Sequence, residues 1–174
     1  LGCVIWDADA AVHRLYKVDG TATPQIAEIW PDAIENNAVS RDRLRAIIAK
    51  DPTALPRIET IVHPLVQRDR ADFIKAHPDK IGVFDIPLLF ETGGDADMDA
   101  VACVTVPPDV QRERVLARGT MSMETLTQIL DRQMPNDEKC ARSTYVVQTD
   151  SLDGAKAQVA ARGLFCFTGC RRIG

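Results

Sequence analysis

Short apolar runs that show no alternation of polar and apolar residues constrain the fold of this chain most. Three of them, rich in valine and isoleucine, lie at Cys3–Trp6, Ile81–Ile86 and Val101–Val106, and Tyr145–Gln148 is a further candidate. Such runs are typical of parallel strands that are covered on both faces. Helical patterns lie between them, so we predict an α/β fold with a mostly parallel sheet flanked by helices.

The helical patterns consist of apolar residues that recur at spacings of three and four, which places them on one face of a helix. A further helix is expected to begin near Pro108, because proline suits the first turn and the neighbouring Asp109 favours the positive end of a helix. The apolar faces comprise Leu44, Ile47 and Ile48, then Leu55, Ile58 and Val62, and finally Leu126, Ile129 and Leu130.

The apolar runs are unevenly spaced along the chain. About 75 residues separate the first two, far more than one crossover helix needs. Several helices are therefore expected within Ala10–His77, and a second helical excursion is expected over Met121–Arg142. A sheet with two helical excursions is similar in architecture to small-molecule kinases, which carry a substrate-binding subdomain and a lid, although shared architecture alone proves no activity.

Length and composition exclude several classes of protein. The 174 residues suit one domain, and no apolar run approaches the roughly 20 residues of a membrane span. The formal net charge of −4 gives no general electrostatic reason to bind nucleic acid or anionic lipid. Neither nucleic acid nor membrane is therefore expected as a partner, and the oligomeric state is left open.

The five cysteines are odd in number and form no CxxC motif. Cys3 and Cys103 lie in apolar runs and are expected to be small buried hydrophobes. Cys166 and Cys170 could bind a metal or form a disulfide, but the sequence supplies no further ligands for them. A reducing, cytoplasmic setting fits this cysteine usage best.

Acidic residues follow two of the predicted strands. Asp7 and Asp9 come directly after the first strand, and Asp85 lies near the end of the second. Ligands of open α/β sheets bind beyond the carboxyl ends of the strands, where a carboxylate can accept a hydroxyl proton or bind a metal. Asp7 could equally be the N-cap of a helix that begins near Ala8, and Asp85 could anchor the turn at Pro87.

Arginines follow the third predicted strand. Arg114 and Arg118 are four residues apart, so one helical face carries both, and guanidinium groups match phosphate oxygens. If the two arginines belong to a lid, the lid would bring them over a polyphosphate. Alternatively, they lie on a solvated helix face and pair with Glu113 and other acids. His63, directly before Pro64, is either a ligand contact or a structural histidine between helices.

Four segments follow one another in a recognisable order. They are VIWDADAAVHRLY, IVHPLV, DIPLLFETG, and VQRERVLAR with ILDRQMPNDEK after it. From Leu1 to about Ala160 the chain thus resembles the dephospho-coenzyme A kinase family, which has a P-loop-kinase-like fold. That family transfers the γ-phosphate of ATP to the 3′-hydroxyl of dephospho-coenzyme A, the last step of coenzyme A synthesis. The resemblance implies these two substrates, with Mg²⁺ as the metal cofactor.

The resemblance also implies roles for the acidic residues and the histidine. Asp9 matches the proposed catalytic base at the acceptor hydroxyl, and Asp7 is then a structural group or a group on the substrate side. His63 lies in the family's HP motif near the substrate-binding region. Asp85 matches a strand-end acid that helps to hold Mg²⁺ beside the substrate.

On the nucleotide side, the resemblance assigns Arg114 to a nucleotide-contacting arginine that acts in catalysis. Arg118 matches a second basic position, in the lid region. The family implies one kinase-like domain over residues 1–174, with a helical substrate-binding subdomain at about 10–77 and a lid at about 119–142.

The sequence contains no GxxxxGK(S/T) phosphate loop, which the family carries between its first strand and first helix. One strand–loop–helix unit of roughly 25 residues is therefore expected to be absent, and the chain as it stands is expected to be inactive. Residues 163–174 depart from the family's pattern and are expected to form an atypical tail. Two alternatives are a non-catalytic module that binds only the acceptor, and another small-molecule kinase of similar fold.

Overall fold

The computed structural model describes residues 2–119 and 121–161, so the tail, Cys166 and Cys170 lie outside the described residues. Contacts divide the chain into two compact units, the first extending to Pro87 and the second beginning at Leu88. The first unit contains β1 (Val4–Asp7), α1 (Ala8–Tyr16), α2 (Thr23–Ile29), β2 (Ile34–Glu35), β3 (Ala38–Val39), α3 (Arg41–Lys50), α4 (Ala54–Ala76) and β4 (Gly82–Asp85). The second unit contains β5 (Ala102–Thr105), α5 (Pro108–Ala117), α6 (Met123–Leu130), α7 (Asn136–Arg142), β6 (Tyr145–Gln148) and α8 (Leu152–Ala161).

All four predicted strands are present, and they pair in parallel. In the first unit β1 pairs with β4, with Val4 opposite Gly82, and in the second unit β5 pairs with β6. Helices alternate with these strands, which confirms the α/β prediction. A short antiparallel pair, β2 with β3, is an addition to it, and Asn36 and Asn37 both adopt positive φ in the turn between these strands. Asparagine tolerates that conformation better than most residues do.

The residues that the structure describes do not cover the strands on both faces, so this part of the prediction is wrong. Trp6 is 3% exposed, whereas its neighbour Ile5 is 71% exposed and Val83 on β4 is about half exposed. Side chains alternate between the two faces of a strand, and α4 packs against the face that carries Trp6, where Phe73 of α4 contacts Phe84 of β4. An apolar run therefore predicts a strand without revealing how many of its faces are covered.

Four helices occupy the long stretch between β1 and β4, as the spacing of the apolar runs predicts. They enclose the apolar core of the first unit, in which Ile26 of α2 is fully buried. Leu44 of α3 is also buried, and Ile47 and Ile48 pack against the same cluster. The predicted apolar face of this helix is therefore confirmed.

The buried face of α4 differs from the predicted one. Ile58 and Val62 are buried as expected, but Leu55 is 44% exposed and Ala54 is buried instead. Residues four apart follow nearly the same line along a helix of 3.6 residues per turn. Ala54, Ile58 and Val62 form such a line, so the inclusion of Leu55 is wrong.

The second unit agrees with the prediction more closely. Helix α5 begins at Pro108, which occupies the first turn, and α6 and α7 fill the predicted second helical excursion. Leu126 of α6 is buried, whereas Ile129 and Leu130 remain 36% and 37% exposed, so only part of that apolar face is covered. Among the residues that the structure describes, no helix is long and apolar enough to cross a membrane.

Candidate active site

Two aspartates occupy paired positions at the carboxyl ends of β1 and β4. Asp7 is the last residue of β1 and pairs in register with Asp85, the last residue of β4. Neighbouring strands are about 4.8 Å apart, so the two residues share one edge of the strand pair. Asp7 is half-buried and Asp85 is exposed. This edge is where ligands of open α/β sheets bind.

Asp7 is the N-cap of α1. Its backbone is extended, with φ −120° and ψ 124°, and its Oδ1 accepts a hydrogen bond from the backbone N–H of Ala10 at 2.8 Å. The helix begins at Ala8, as predicted. Since a side-chain oxygen at this position satisfies an otherwise unpaired N–H of the first turn, the capping alternative for Asp7 is confirmed.

Asp9 lies in the first turn of the same helix and is exposed. Its carboxylate has no hydrogen-bond or ion-pair partner among residues 2–119 and 121–161, and its backbone carbonyl accepts a hydrogen bond from Arg41 at 3.3 Å. The positive end of the α1 dipole favours a negative charge in this turn. Asp9 therefore presents its carboxylate to solvent at the start of α1, next to the end of β1.

A third acid, Asp69 of α4, connects to the residues that flank these two. Its Oδ1 accepts a hydrogen bond from the indole N–H of Trp6 at 2.8 Å, and its Oδ2 accepts one from Nε of Arg14 at 3.2 Å. Arg14 also donates from Nη2 to Oδ1, which makes the pair bidentate. The hydrogen bonds from Arg14 hold the pKa of Asp69 below its usual range, although partial burial opposes this.

A cleft of about 390 Å³ lies beside these contacts. It is lined by Ile5, Trp6, Asp7, Ala10, Arg14, Asp69, Asp72 and Phe73. The cleft reaches the capping acid Asp7 from the side of α4. Its lining is mixed in character, with an indole and a phenyl ring next to an arginine and three aspartates.

His63 does not lie between helices, so that interpretation is wrong. It is an exposed residue within α4, and Pro64 continues the same helix. Proline has no N–H, so the carbonyl of Thr60 lacks the donor that a helix normally supplies. The His63–Pro64 pair, which the sequence places at a helix boundary, therefore lies within one long helix and removes one of its backbone hydrogen bonds.

In the second unit, Arg114 of α5 binds the backbone that follows β6. Its Nη1 donates to the carbonyl of Thr149 at 2.8 Å and its Nη2 to that of Asp150 at 2.9 Å. Arg118 is the C-cap residue of α5, is exposed, and has no ion-pair partner in the described part of the chain. The two arginines therefore differ: Arg114 orders a loop and Arg118 ends the helix.

The segment DIPLLFETG continues into the second unit, where it holds α7. Oε1 of Glu91 accepts hydrogen bonds from Nζ of Lys139 at 2.7 Å and from the backbone N–H of Met134 at 3.0 Å. Burial raises the pKa of Glu91, but these hydrogen bonds outweigh it and hold the pKa below its ordinary value. Arg142 of α7 lies over the ring of Phe90, 4.7 Å from its centroid.

The structure thus brings Asp7, Asp9 and Asp85 to one region of the first unit, whereas Arg114 and Arg118 belong to the second. Sequence reasoning missed the contacts made by Asp69, because its partners Trp6 and Arg14 lie 63 and 55 residues away. One signal was present: a buried indole N–H usually needs an acceptor. Nothing in the sequence identified which residue supplies it.

The half-buried thiols also differ from expectation. Cys103 and Cys3 are both partly exposed rather than fully buried. Cys140 of α7 approaches Cys103 of β5, with 3.8 Å between the two sulfur atoms. Burial is the main reason that the pKa of the Cys103 thiol is raised, so this thiol stays protonated at neutral pH.

Known proteins share both the sequence and the fold. The family model described as dephospho-CoA kinase matches residues 1–153. Dephospho-CoA kinase of Ruegeria pomeroyi is 60% identical over 158 residues, which cover 91% of this chain and 80% of that protein. The crystal structure of TT1252 from Thermus thermophilus is 26% identical, with a TM-score of 0.79 over 97% of this chain and 86% of that one. Dephospho-CoA kinase from Campylobacter jejuni, 20% identical with a TM-score of 0.67 over 94% of this chain and 85% of that one, shares the fold.

Proposed function

The chain belongs to the dephospho-CoA kinase family, and from this premise we propose how its residues share the reaction. The family's reaction moves the γ-phosphoryl group of ATP to the 3′-hydroxyl of dephospho-coenzyme A, which is phosphotransfer to an alcohol. Catalysis of phosphoryl transfer depends almost entirely on positioning and electrostatic stabilisation. The roles therefore follow from where charged side chains lie and which of them are already engaged.

Asp9 is assigned as the base that accepts the proton of the 3′-hydroxyl. As the 3′-oxygen bonds to the γ-phosphorus, the bond from that phosphorus to the bridging oxygen breaks, and ADP leaves with its electron pair. The hydroxyl proton passes to the Asp9 carboxylate. The observation that carries this assignment is the difference between two acids: Asp7 caps α1 through Ala10, whereas the Asp9 side chain is exposed and unpartnered among the described residues.

Asp85 is assigned to Mg²⁺. This ion prefers oxygen ligands and usually combines one or two carboxylates with water and substrate phosphates, and Asp85 offers an exposed carboxylate at a strand end. The described residues contain no group of three or more His, Cys, Asp or Glu side chains arranged to hold a metal. Asp85 would therefore share the ion with water and phosphate oxygens. When bound, the ion neutralises charge on those phosphates.

Arg114 and Arg118 are assigned to ATP. Arg114 uses two of its N–H groups on the carbonyls of Thr149 and Asp150, and the guanidinium group has further donors for a nucleotide. Its contacts order the loop after β6, so this loop and the arginine would present one surface to the nucleotide. Arg118, exposed at the end of α5, is suited to phosphate oxygens.

Helices α1 to α4 of the first unit are assigned to acceptor binding. Asp7 and Asp9 lie at the start of α1, and His63 is exposed on α4, where its ring can donate or accept a hydrogen bond. Asp7 contributes to this site by fixing the first turn of α1 as a cap. His63 contributes a polar contact to the acceptor away from the reacting hydroxyl.

The reaction itself provides the test. The product of the complete gene is incubated with Mg·ATP and dephospho-coenzyme A, and ³¹P spectra are recorded for the 3′-phosphomonoester of coenzyme A and for ADP. Both products should appear together, and adenosine or shikimate in place of dephospho-coenzyme A should give neither at a comparable rate. Phosphorylation of another acceptor with dephospho-coenzyme A left unchanged would contradict the assignment.

A further inference from the structure

The carboxylate of Asp69 on α4 binds residues on both sides of the segment that contains Asp7 and Asp9. Trp6, directly before Asp7, donates its indole N–H to Asp69, and Arg14, five residues after Asp9, donates two hydrogen bonds to the same carboxylate. Both oxygens of Asp69 are used. The end of β1 and the body of α1 are therefore fixed to a single point on a neighbouring helix.

These contacts are shielded from solvent on the strand side. Trp6 is 3% exposed and its ring packs against Phe84 at a centroid distance of 6.0 Å. Leaving a buried N–H unpaired costs free energy, so Trp6 depends on its acceptor. The Asp69 side chain is 23% exposed and that of Arg14 is 47% exposed, which places the ion pair at the edge of this packed region.

The first turn of α1 has few other anchors. The buried residues of this helix are Ala11, Leu15 and Tyr16, so its apolar contacts begin with Ala11 at the end of the first turn. Asp9 and its neighbour Ala10 are both exposed. Apart from the internal cap and the buried Ala11, the described residues hold this turn through the exposed Arg41 hydrogen bond, and Asp69 fixes the residues that flank it.

We propose that Asp69 is a positioning residue for phosphoryl transfer, which sets the place of the Asp9 carboxylate by fixing Trp6 and Arg14. The inference rests on the proposed role of Asp9 as the base. A misplacement of about 1 Å at a reacting group can lower a rate by about 100-fold. Asp69→Ala should therefore lower turnover by about 10- to 100-fold, with the KM values for both substrates changed by less than about threefold.

A double-mutant cycle tests whether Asp69 acts through Asp9. Turnover of the complete gene product is measured for the unchanged protein, for Asp69→Ala, for Asp9→Asn and for the double variant. If Asp69 acts by placing Asp9, its replacement has no further effect in the Asp9→Asn background, because the placed group has lost its basicity. Such non-additivity is expected only for residues that act as a unit.

A matched control separates positioning from general loss of stability. Asp95 forms an ion pair with Arg142 at 2.9 Å in the second unit, and the two side chains are 24% and 41% exposed, close to the values for Asp69 and Arg14. Asp95→Ala should change turnover by less than about twofold at temperatures where it is folded. Asp69→Asn keeps an oxygen acceptor for Trp6 and should therefore lose less turnover than Asp69→Ala. If Asp69→Ala does not fold, Asp69→Asn takes its place in the double-mutant cycle.

The outcomes distinguish the two proposals. Equal losses from replacing Asp69 in both backgrounds, or an unchanged turnover in Asp69→Ala, would overturn the positioning role while leaving Asp9 as the base. Near-normal turnover in the Asp9→Asn single variant would show that Asp9 is not the base, which contradicts the proposed function of Asp9 whatever the effect of replacing Asp69. A large loss that occurs only when Asp9 is intact supports both.

Discussion

The Glu91–Lys139 ion pair should stabilise the second unit by more than an ordinary surface pair does. Glu91 accepts hydrogen bonds from Lys139 and from the backbone of Met134, and the two charged side chains are only 19% and 21% exposed. A hydrogen bond to a charged group is worth about 1.5–3 kcal/mol, against about 0–1 kcal/mol for an exposed ion pair. Glu91→Gln keeps an oxygen acceptor but loses the charge, so we expect a loss of about 1–2 kcal/mol.

For a chain of this length each kcal/mol corresponds to about 2–4 °C, so the melting temperature should fall by about 2–8 °C. The assay is urea and thermal unfolding, followed by circular dichroism, of the unchanged chain, Glu91→Gln, Lys139→Met and the double variant. The cycle should give a coupling of about 1–2 kcal/mol between the two residues.

The control is a pair in the same unit that lies in solvent. Asp153 is 97% exposed and lies 3.7 Å from Nζ of Lys156, so Asp153→Asn should change stability by less than about 0.5 kcal/mol. A cycle with Asp153→Asn, Lys156→Met and the double variant should give a coupling of less than about 0.5 kcal/mol. A coupling for Glu91 and Lys139 as small as that of the control pair would refute the argument that their burial strengthens the interaction.

Three further results are expected. Because folding lowers the pKa of Asp69 and of Glu91, the folded state favours the ionised carboxylates. The stabilisation of the folded state by these two carboxylates is complete at neutral pH. It is lost as pH falls from the ordinary pKa values of 3.8 for Asp69 and 4.5 for Glu91 through the lower pKa values of the folded state. Urea unfolding between pH 7 and pH 3 should show this loss of stability, and the loss should be smaller in Glu91→Gln. If Arg114 contacts the nucleotide as proposed, Arg114→Ala should lower turnover of the complete gene product by at least about tenfold, since it removes that charge and releases the loop at Thr149. Arg112 is exposed on the same helix and has no assigned role, so Arg112→Ala should keep turnover within about twofold. The 174-residue chain contains no GxxxxGK(S/T) motif, so calorimetry with millimolar ATP and Mg²⁺ should show no saturable binding; tight Mg²⁺-dependent binding would contradict the assumed nucleotide site.

Features that depend on neighbouring residues could be predicted from the sequence. The strand Tyr145–Gln148 has the predicted bounds, and α1 begins at Ala8 with Asp7 as its cap. Helix α5 begins at Pro108. Caps, helix starts and short apolar strands are encoded within a few residues, so the sequence carries their signals directly.

Features that depend on distant residues could not be predicted. The exposure of Ile5 depends on which face of β1 another element covers, and apolar character alone does not decide this. The HP motif at His63 is continuous with a long helix because the tertiary packing of α4 outweighs the local preference of Pro64. The hydrogen bond from Trp6 to Asp69 spans 63 residues, and no short-range pattern records such a contact.

The division of roles between Asp9 and Asp7 is the central claim, and steady-state kinetics with dephospho-coenzyme A and Mg·ATP test it most directly. Asp9→Asn keeps the shape of the side chain but removes its charge and basicity, and general-base contributions are typically about 10²–10⁴-fold. Turnover of the complete gene product should therefore fall by that factor, while loss of the charge at the start of α1 should lower the melting temperature by no more than about 4 °C. Asp7→Asn should have a milder effect, because asparagine is also a good N-cap. Near-normal turnover in Asp9→Asn together with loss of turnover in Asp7→Asn would contradict the account.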